Sequence, residues 1–146
     1  MGLVGYFTAE IGLWSELHTY SGGLGVLAGD HVKSAADAEI DLVGVTLLYR
    51  EGYGRQHIDD QGNQTESFGA IDPADHLIDT GLDITLPLDG GTLHAKIWKV
   101  EVVGVTGHVV PVYFMDTHHP KNSDYHQSMG ARLYGGSDDV RIRQEY

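Results

Sequence analysis

The residues best suited to chemistry in this sequence form a glycine-rich run, Tyr20-Ser21-Gly22-Gly23-Leu24-Gly25, and Glu10 precedes that run. The glycine-rich run lies between an apolar segment and an amphipathic segment. This position predicts a loop that leads into the start of a helix. The first N–H groups of a helix have no intrahelical acceptor and carry partial positive charge. Glycine lets a phosphate or a sugar reach them without obstruction by side chains. The sequence therefore predicts an anion or sugar site at Gly22, Gly23, Leu24 and Gly25.

The same glycines allow a second interpretation, in which they only permit a tight turn and close contact between helix and sheet. The run is neither of the two common nucleotide motifs, because it contains no GxGxxG spacing and does not end in Gly-Lys-Ser or Gly-Lys-Thr. Chemistry alone leaves both interpretations open.

Three segments must position this loop. Leu3 to Thr8 is a short apolar run, which predicts a strand buried on both faces. From Leu24 to about Ala38 the pattern is helical, with apolar residues at Leu24, Leu27, Ala28, Val32, Ala35 and Ala36. Leu42 to Tyr49 predicts a second buried strand. Residues 1–52 therefore predict a strand, glycine loop, helix and strand, joined as in a parallel sheet.

Residues 53–115 predict mainly β structure, because apolar and polar residues alternate between turn residues. A hairpin is expected around Asp59 to Asn63, where Asp59 and Asp60 form the turn. Further strands are expected at Leu82 to Leu86, at Thr92 to Val103 after an Asp89-Gly90-Gly91 turn, and at Val109 to Met115, which returns to the central sheet.

Residues 116–136 are polar and predict a surface loop. Residues 137–146 predict the start of a helix, with Ser137 as N-cap and with Asp138 and Asp139 in the first turn. Local ion pairs are expected for Arg141 and Arg143. Because such a well-capped helix would continue beyond two turns, we expect the sequence to be truncated.

Composition narrows the classes of partner. The formal net charge is −12, from 21 acidic and 9 basic residues, so nucleic acid and anionic membrane surfaces are not expected to bind. There is no cysteine, which excludes disulfides and thiolate zinc sites. No apolar run has the length of a membrane helix and the N-terminus has no basic start, so a cytoplasmic location is expected. Only His118 and His119 are adjacent among the histidines, and neighbours chelate poorly, so no metal site is predicted.

Tyr6-Phe7-Thr8-Ala9-Glu10-Ile11-Gly12 and the segment from Tyr20 to His31 resemble the α-glucan (glycogen/starch/maltodextrin) phosphorylases, in particular their shorter bacterial and archaeal branch. Two further stretches match the same family in the same order: Leu42 to Tyr53, and Arg132 to Glu145. The resemblance is strong at the two ends of the chain and loose between them.

The resemblance implies an α/β fold in which 1–146 is part of the N-terminal Rossmann-like lobe of a two-lobed, GT-B type glycosyltransferase, with an antiparallel β insertion. It implies phosphorolysis of α-1,4-glucans to glucose 1-phosphate with retention, and pyridoxal 5′-phosphate as cofactor, used through its phosphate. By the same resemblance, Gly22, Gly23, Leu24 and Gly25 face the cofactor and substrate phosphates and Glu10 lies in the glucosyl site. Tyr49, Gly52 and Gln56 occupy matching positions without an assigned step.

The resemblance also implies that part of the active site lies outside this chain. The family's cofactor lysine belongs to a C-terminal lobe that this chain lacks, so we expect no catalytic residue here and no activity from the chain alone. Its expected partners are an α-1,4-glucan, phosphate or glucose 1-phosphate, and the missing lobe; a homo-oligomer remains open. Asp116-Thr117-His118-His119-Pro120 imitates the family's Asn-Asp-Thr-His-Pro motif, and we interpret that likeness as accidental.

Two alternatives remain. Starch and glycogen synthases have a similar Gly-Gly-Leu-Gly loop but usually carry a lysine before it, where this chain has Tyr20 and Ser21. A non-catalytic module that binds glucan or phosphate is the other alternative, and it predicts that the isolated chain binds oligosaccharide.

Overall fold

The computed structural model describes residues 2–88 and 91–145. Its elements, in chain order, are β1 (Val4–Phe7), α1 (Gly23–Asp37), β2 (Leu42–Leu47), β3 (Arg55–Ile58), β4 (Gln64–Ser67), a 3-10 turn (Pro73–Asp75), β5 (Ile78–Leu88), β6 (Gly91–Val103), β7 (Val109–Asp116), α2 (Asp124–Ser128) and α3 (Asp138–Glu145).

A five-stranded sheet with the order β1-β2-β7-β6-β5 forms the centre of the fold. β1, β2 and β7 run parallel, whereas β6 and β5 add to β7 as antiparallel strands. The predicted return of the segment from Val109 to the central sheet is therefore confirmed, and the fold is mixed α/β. β3 and β4 form the expected hairpin as a separate two-stranded sheet.

α1 covers one face of the sheet. Its buried apolar side chains, Ala28, Val32, Ala35 and Ala36, share a core with residues of β6 and β7 such as Trp98, Val112 and Phe114. The helix predicted at this position is confirmed, but two members of its expected buried face are wrong. Leu24 and Leu27 are 51% and 65% exposed, because the side of α1 that meets the fold contains Gly25 and Gly29 instead.

β1 lies at the edge of the sheet, and the prediction that it is buried on both faces is wrong. Leu3, Val4 and Phe7 are 72%, 44% and 76% exposed. The reason is geometric, because α1 packs over β2, β7 and β6, and no described strand pairs with the outer edge of β1.

The range 116–136, predicted as a surface loop, also contains the short helix α2 and some buried side chains. Ser123 caps α2 by accepting a hydrogen bond from the His126 N–H. Asn122 is buried; its side-chain oxygen accepts the His94 N–H, and its side-chain nitrogen donates to the His94 carbonyl. α3 begins as expected after Ser137, whose Oγ lies 3.5 Å from the Val140 N–H.

The hairpin turn is built as predicted around Asp59, whose carboxylate accepts the N–H groups of Gln61 and Asn63 at 2.9 and 2.8 Å. Asp89 and Gly90 of the turn predicted between β5 and β6 lie outside the described residues. Within the described ranges, no helix combines the length and the apolar character needed to cross a membrane.

Candidate phosphate and sugar site

The glycine loop delivers an open helix start. Gly22 is the N-cap of α1 in extended conformation (φ −153°, ψ −153°), and no side chain bonds to the cap. The first turn contains no acidic residue, and the Val26 N–H is the donor that bonds back to the Gly22 carbonyl, at 3.2 Å. The N–H groups of Gly23, Leu24 and Gly25 precede that bond, so they have no acceptor within the helix.

The first part of the loop is unobstructed. Gly22, Gly23 and Leu24 are exposed, and a Cβ added at Gly22 or Gly23 would meet nothing within 4 Å. The positive end of the α1 dipole therefore faces open space, which is the geometry that an anion needs at a helix start.

The second part of the loop is closed. Gly25 is buried, and a Cβ there would lie 2.3 Å from the Cβ of Tyr20. One turn further on, a Cβ at Gly29 would lie 2.0 Å from the carbonyl oxygen of Gly12. The Gly12 N–H donates to the Gly25 carbonyl at 2.8 Å, so helix and preceding loop touch through their backbones. The two interpretations of the glycines thus apply to different residues: Gly22 and Gly23 are open, whereas Gly25 and Gly29 permit close packing.

Glu10 lies beside the loop, as predicted, but its carboxylate points inward and the residue is only 2% exposed. Oε2 accepts the Ser21 N–H at 2.7 Å, and Oε1 accepts the Tyr134 hydroxyl at 3.0 Å. A negative charge just before a helix start is favourable. Glu10 therefore fixes the position of Ser21 and ties the loop to a residue that is 124 positions away in sequence.

The three segments that carry the resemblance meet at this point. The Tyr49 hydroxyl donates to the Ala9 carbonyl at 2.8 Å, which joins the end of β2 to the Glu10 loop. Gly52, at φ +61°, accepts the Leu133 N–H at 3.3 Å, which joins the same stretch to the segment that contains Tyr134. Tyr134 has a φ of 55°, a value that is uncommon for a residue other than glycine. Tyr134 was not predicted as a partner of Glu10, and the only signal for it in the sequence is its place in the matched segment.

A depression of about 320 Å³ adjoins Tyr134. Tyr53, exposed by 44%, and Gln56 of β3 contribute a ring and an amide to its lining. Arg132, which pairs with Glu51, lies 3.9 Å over the ring of Phe68 at another part of its wall. Aromatic rings next to hydrogen-bonding side chains are the features that bind sugar rings.

The segment from Asp116 to Pro120 makes contacts of its own. The buried Asp116 carboxylate accepts Trp98 Nε1–H at 3.2 Å, and Arg50 binds the same carboxylate through two nitrogens at 3.2 and 2.6 Å. His119 stacks on His94 with 5.4 Å between ring centres.

The expected local ion pairs of α3 are present: Arg141 lies 3.6 Å from Asp138, and Arg143 lies 3.5 Å from Asp139. Across residues 2–88 and 91–145, no group of three or more histidine, aspartate or glutamate side chains is arranged to hold a metal ion.

The chain is similar in sequence to several glycogen and maltodextrin phosphorylases. No family model matches the chain. It is 39% identical to the glycogen phosphorylase of Mycobacterium tuberculosis over 97% of the chain and 17% of that protein. It is 37% identical to the maltodextrin phosphorylase of Thermococcus litoralis (96% and 17%) and 30% identical to the glycogen phosphorylase of Aquifex aeolicus (96% and 20%).

These relatives are glycosyltransferases of the phosphorylase class, so the resemblance seen in the sequence is confirmed. More particularly, the chain is a homologue of glycogen and maltodextrin phosphorylases along nearly its whole length, and it spans about 17% of the length of the first two relatives.

Proposed function

We propose that the chain forms part of the N-terminal Rossmann-like lobe of a GT-B type α-glucan phosphorylase, which cleaves α-1,4-glucan with phosphate and releases glucose 1-phosphate with retention. The observation that carries this proposal is the convergence of the open start of α1, Glu10 and Tyr134. Each belongs to a matched segment of the sequence, and similarity to phosphorylases covers 97% of the chain.

In this proposal, Gly22, Gly23 and Leu24 bind phosphate through backbone N–H groups. Lys33 is the first lysine or arginine of the sequence, so the loop itself contains neither. A doubly charged phosphate would need cations from outside the loop, and we propose that a second lobe supplies them. Gly25 contributes indirectly, because it lets the helix start approach Glu10.

The open helix start also fits the phosphate of pyridoxal 5′-phosphate. That group, when bound, would supply a phosphate able to exchange a proton with the substrate phosphate. The loop contains no lysine, and from the resemblance to the phosphorylases we propose that the lysine that anchors the cofactor lies outside this chain. The role of these residues is then to orient phosphate by hydrogen bonds and to keep the loop in place through the bond between Glu10 and Ser21.

For the glucan, we propose a path along the depression beside Tyr134, where Tyr53 and Gln56 contact sugar rings. Direct contact between Glu10 and the glucosyl unit stays a prediction. In the present arrangement both oxygens of Glu10 bond to the protein, so its supported role is to hold Ser21 and Tyr134 at the rim of the site.

The test uses the full-length protein and measures glucose 1-phosphate released from maltoheptaose and phosphate. Gly23→Ala places a methyl group in the open space at the first residue of α1, where it meets no protein atom within 4 Å. Alanine keeps the backbone N–H, but its methyl group would occupy space proposed for the phosphate and hold the anion away from that N–H. Losing one hydrogen bond to a charged group costs about 1.5–3 kcal/mol, so KM for phosphate should rise at least about tenfold. Gly69→Ala, which also meets nothing within 4 Å, is the matched control.

An unchanged KM for phosphate in a folded Gly23→Ala enzyme would remove the helix start from the proposed phosphate site. Absence of phosphorolysis by the full-length protein would overturn the proposed activity itself. The 146-residue chain alone is expected to release no glucose 1-phosphate, and turnover by it would contradict the need for a second lobe.

The two alternatives are tested by binding. Maltoheptaose bound tightly by the isolated chain in calorimetry would favour a glucan-binding module. A synthase-like activity predicts glucosyl transfer from a nucleotide sugar. It is disfavoured here because the chain has Tyr20 and Ser21, and no lysine, at the positions where synthases usually carry one.

A further inference from the structure

Gln144 links α3 to the segment that carries Tyr134. Its side-chain Nε2 donates to the backbone carbonyl of Met129 at 2.6 Å and to the backbone carbonyl of Arg132 at 3.1 Å. Both partners are acceptors, so the amide nitrogen must face them, and its two protons are both used. Gln144 is partly buried, and the proposed phosphate and sugar site does not include it.

The two bonds of Gln144 complete the pairing of four consecutive carbonyls. Residues 129–132 lie outside every described helix and strand, so their carbonyls need partners from elsewhere. The middle two, those of Gly130 and Ala131, accept the N–H groups of residues 50 and 51, each at 2.8 Å. The outer two accept Gln144. Without Gln144, two carbonyls of a partly buried segment would lose a side-chain donor, which is unfavourable.

Tyr134 follows this segment and depends on it. Its φ of 55° lies in the left-handed region, which is unfavourable for a residue other than glycine and persists where the surrounding structure fixes it. The residue before it, Leu133, is buried, and its N–H donates to the Gly52 carbonyl at 3.3 Å. Arg132 is held from the other side, by Gln144 of α3. The backbone that leads into Tyr134 is therefore fixed from two sides.

Two further hydrogen bonds connect Tyr134 to the glycine loop. The Tyr134 hydroxyl donates to Glu10 at 3.0 Å, and the other oxygen of Glu10 accepts the Ser21 N–H at 2.7 Å. Ser21 directly precedes Gly22, the N-cap of α1. A shift of Tyr134 would remove a donor from the buried Glu10 carboxylate, and the hold of that carboxylate on Ser21 would weaken with it.

We propose that Gln144 is a positioning residue for the phosphate site. By holding the carbonyls before Tyr134, it keeps the tyrosine in the conformation that fixes Glu10 and, through Glu10, the glycine loop. Gln144 contacts neither phosphate nor glucan and acts only through Tyr134. This inference rests on the proposed function, because it takes the open start of α1 to be the site that binds phosphate.

The test compares Gln144→Met with the parent in the full-length protein, because methionine is similar in size and cannot donate a hydrogen bond. A smaller fraction of molecules would then have the loop in its binding conformation, so KM for phosphate should rise about fivefold. Gln144 contacts no reacting group, so kcat should stay within about twofold of the parent. Arg141→Met, on the same helix and paired only with Asp138 in the described structure, is the control and should change neither constant.

A double-mutant cycle with Tyr134→Phe tests the route of the effect. If Gln144 acts through Tyr134, the double variant should have the same KM for phosphate as Tyr134→Phe alone. Multiplicative effects of the two substitutions on KM would overturn the inference, because Gln144 would then act by another route. An unchanged KM in folded Gln144→Met would overturn it as well.

Amide hydrogen exchange provides a measurement that does not depend on activity. The Ser21 amide should exchange at least about fivefold faster in Gln144→Met than in the parent, whereas the amides of the paired strands β2 and β7 should keep the rates of the parent. Faster exchange at all of these amides would indicate general destabilisation and contradict a positioning role. Should Gln144→Met not fold, Gln144→Asn, which keeps the donor but is one methylene shorter, takes its place with the same expected directions.

The two measurements separate this inference from the proposed function. A parent protein that releases no glucose 1-phosphate, but whose Ser21 amide responds to Gln144→Met, contradicts the proposed function and not the hold of Gln144 on the loop. An active parent whose Ser21 amide is unaffected by Gln144→Met contradicts this inference alone.

Discussion

Gly29→Ala should destabilise the protein, although alanine is the better helix former. The added methyl carbon would lie 2.0 Å from the Gly12 carbonyl oxygen, more than an ångström short of the ordinary contact distance of 3.4 Å. The obstacle is backbone, so a side-chain rotation cannot relieve it, and α1 has to move away from the loop that carries Glu10.

The expected size follows from two opposing effects. Overpacking usually costs about 1–3 kcal/mol, and a backbone contact this close belongs at the upper end. Replacing glycine by alanine inside a helix returns about 1 kcal/mol. The net loss of unfolding free energy is therefore about 2 kcal/mol, which corresponds to a drop in Tm of roughly 4–8 °C for a chain of this size.

Urea and thermal unfolding followed by circular dichroism measure this difference, with Gly23→Ala as the matched control. Gly23 is also in α1, but its added methyl meets nothing within 4 Å, so that variant should be as stable as the parent or more stable by about 0.5 kcal/mol. If Gly29→Ala were as stable as Gly23→Ala, the close approach of α1 to Gly12 would be refuted.

Three further predictions concern polar contacts. Tyr134→Phe removes the hydroxyl that donates to the buried Glu10 carboxylate, and should lower the unfolding free energy by about 1.5–3 kcal/mol in urea titrations. Asp116→Asn removes the charge that faces Arg50 in a largely buried pair, and should cost about 2–3 kcal/mol in unfolding monitored by tryptophan fluorescence. Burial, followed by the nearby Arg55, lowers the pKa of His18 below 6.5; the unfolded chain therefore binds more protons, and urea stability should fall as the pH drops below about 6.5.

Each has a control and a result that would contradict it. Tyr53→Phe, at an exposed ring, should change stability little. An equal loss of unfolding free energy in both tyrosine variants would contradict a specific stabilisation by the hydrogen bond between Tyr134 and Glu10. Asp60→Asn, in the exposed turn, should leave the tryptophan signal and the unfolding midpoint unchanged; a loss equal to that of Asp116→Asn would point to net charge instead. His18→Gln should flatten the pH dependence below about 6.5, and an unchanged slope would assign it to another group.

Much of the local structure was determined by the sequence alone. Apolar runs at Leu3 to Thr8 and Leu42 to Tyr49 predicted β1 and β2, and helical spacing after Leu24 predicted α1. Ser137, followed by two aspartates, predicted the start of α3. These signals are local, because they depend on the alternation of a strand, the period of a helix and the bonding of a cap. The order of the matched segments was also sufficient to identify the phosphorylase relatives.

Only the tertiary structure determines which glycines are open to a ligand and which permit close packing. Sequence spacing treats Gly22, Gly23 and Gly25 alike, whereas the approach of residues 10–12 buries Gly25 and leaves the other two open. The contact of Glu10 with Tyr134 is likewise invisible in the sequence, since 124 positions separate the two residues and no periodic pattern links them.

Burial was the other property that sequence could not assign. Burial of an apolar side chain is favourable, but whether a particular side chain is buried depends on which strands and helices lie next to it. Leu24 and Leu27 are exposed because α1 packs against β2, β7 and β6 through the side that contains its glycines. Phe7 is exposed because β1 lies at the edge of the sheet. The sequence determines which residues need partners, and the arrangement of the chain in space determines which of them have one.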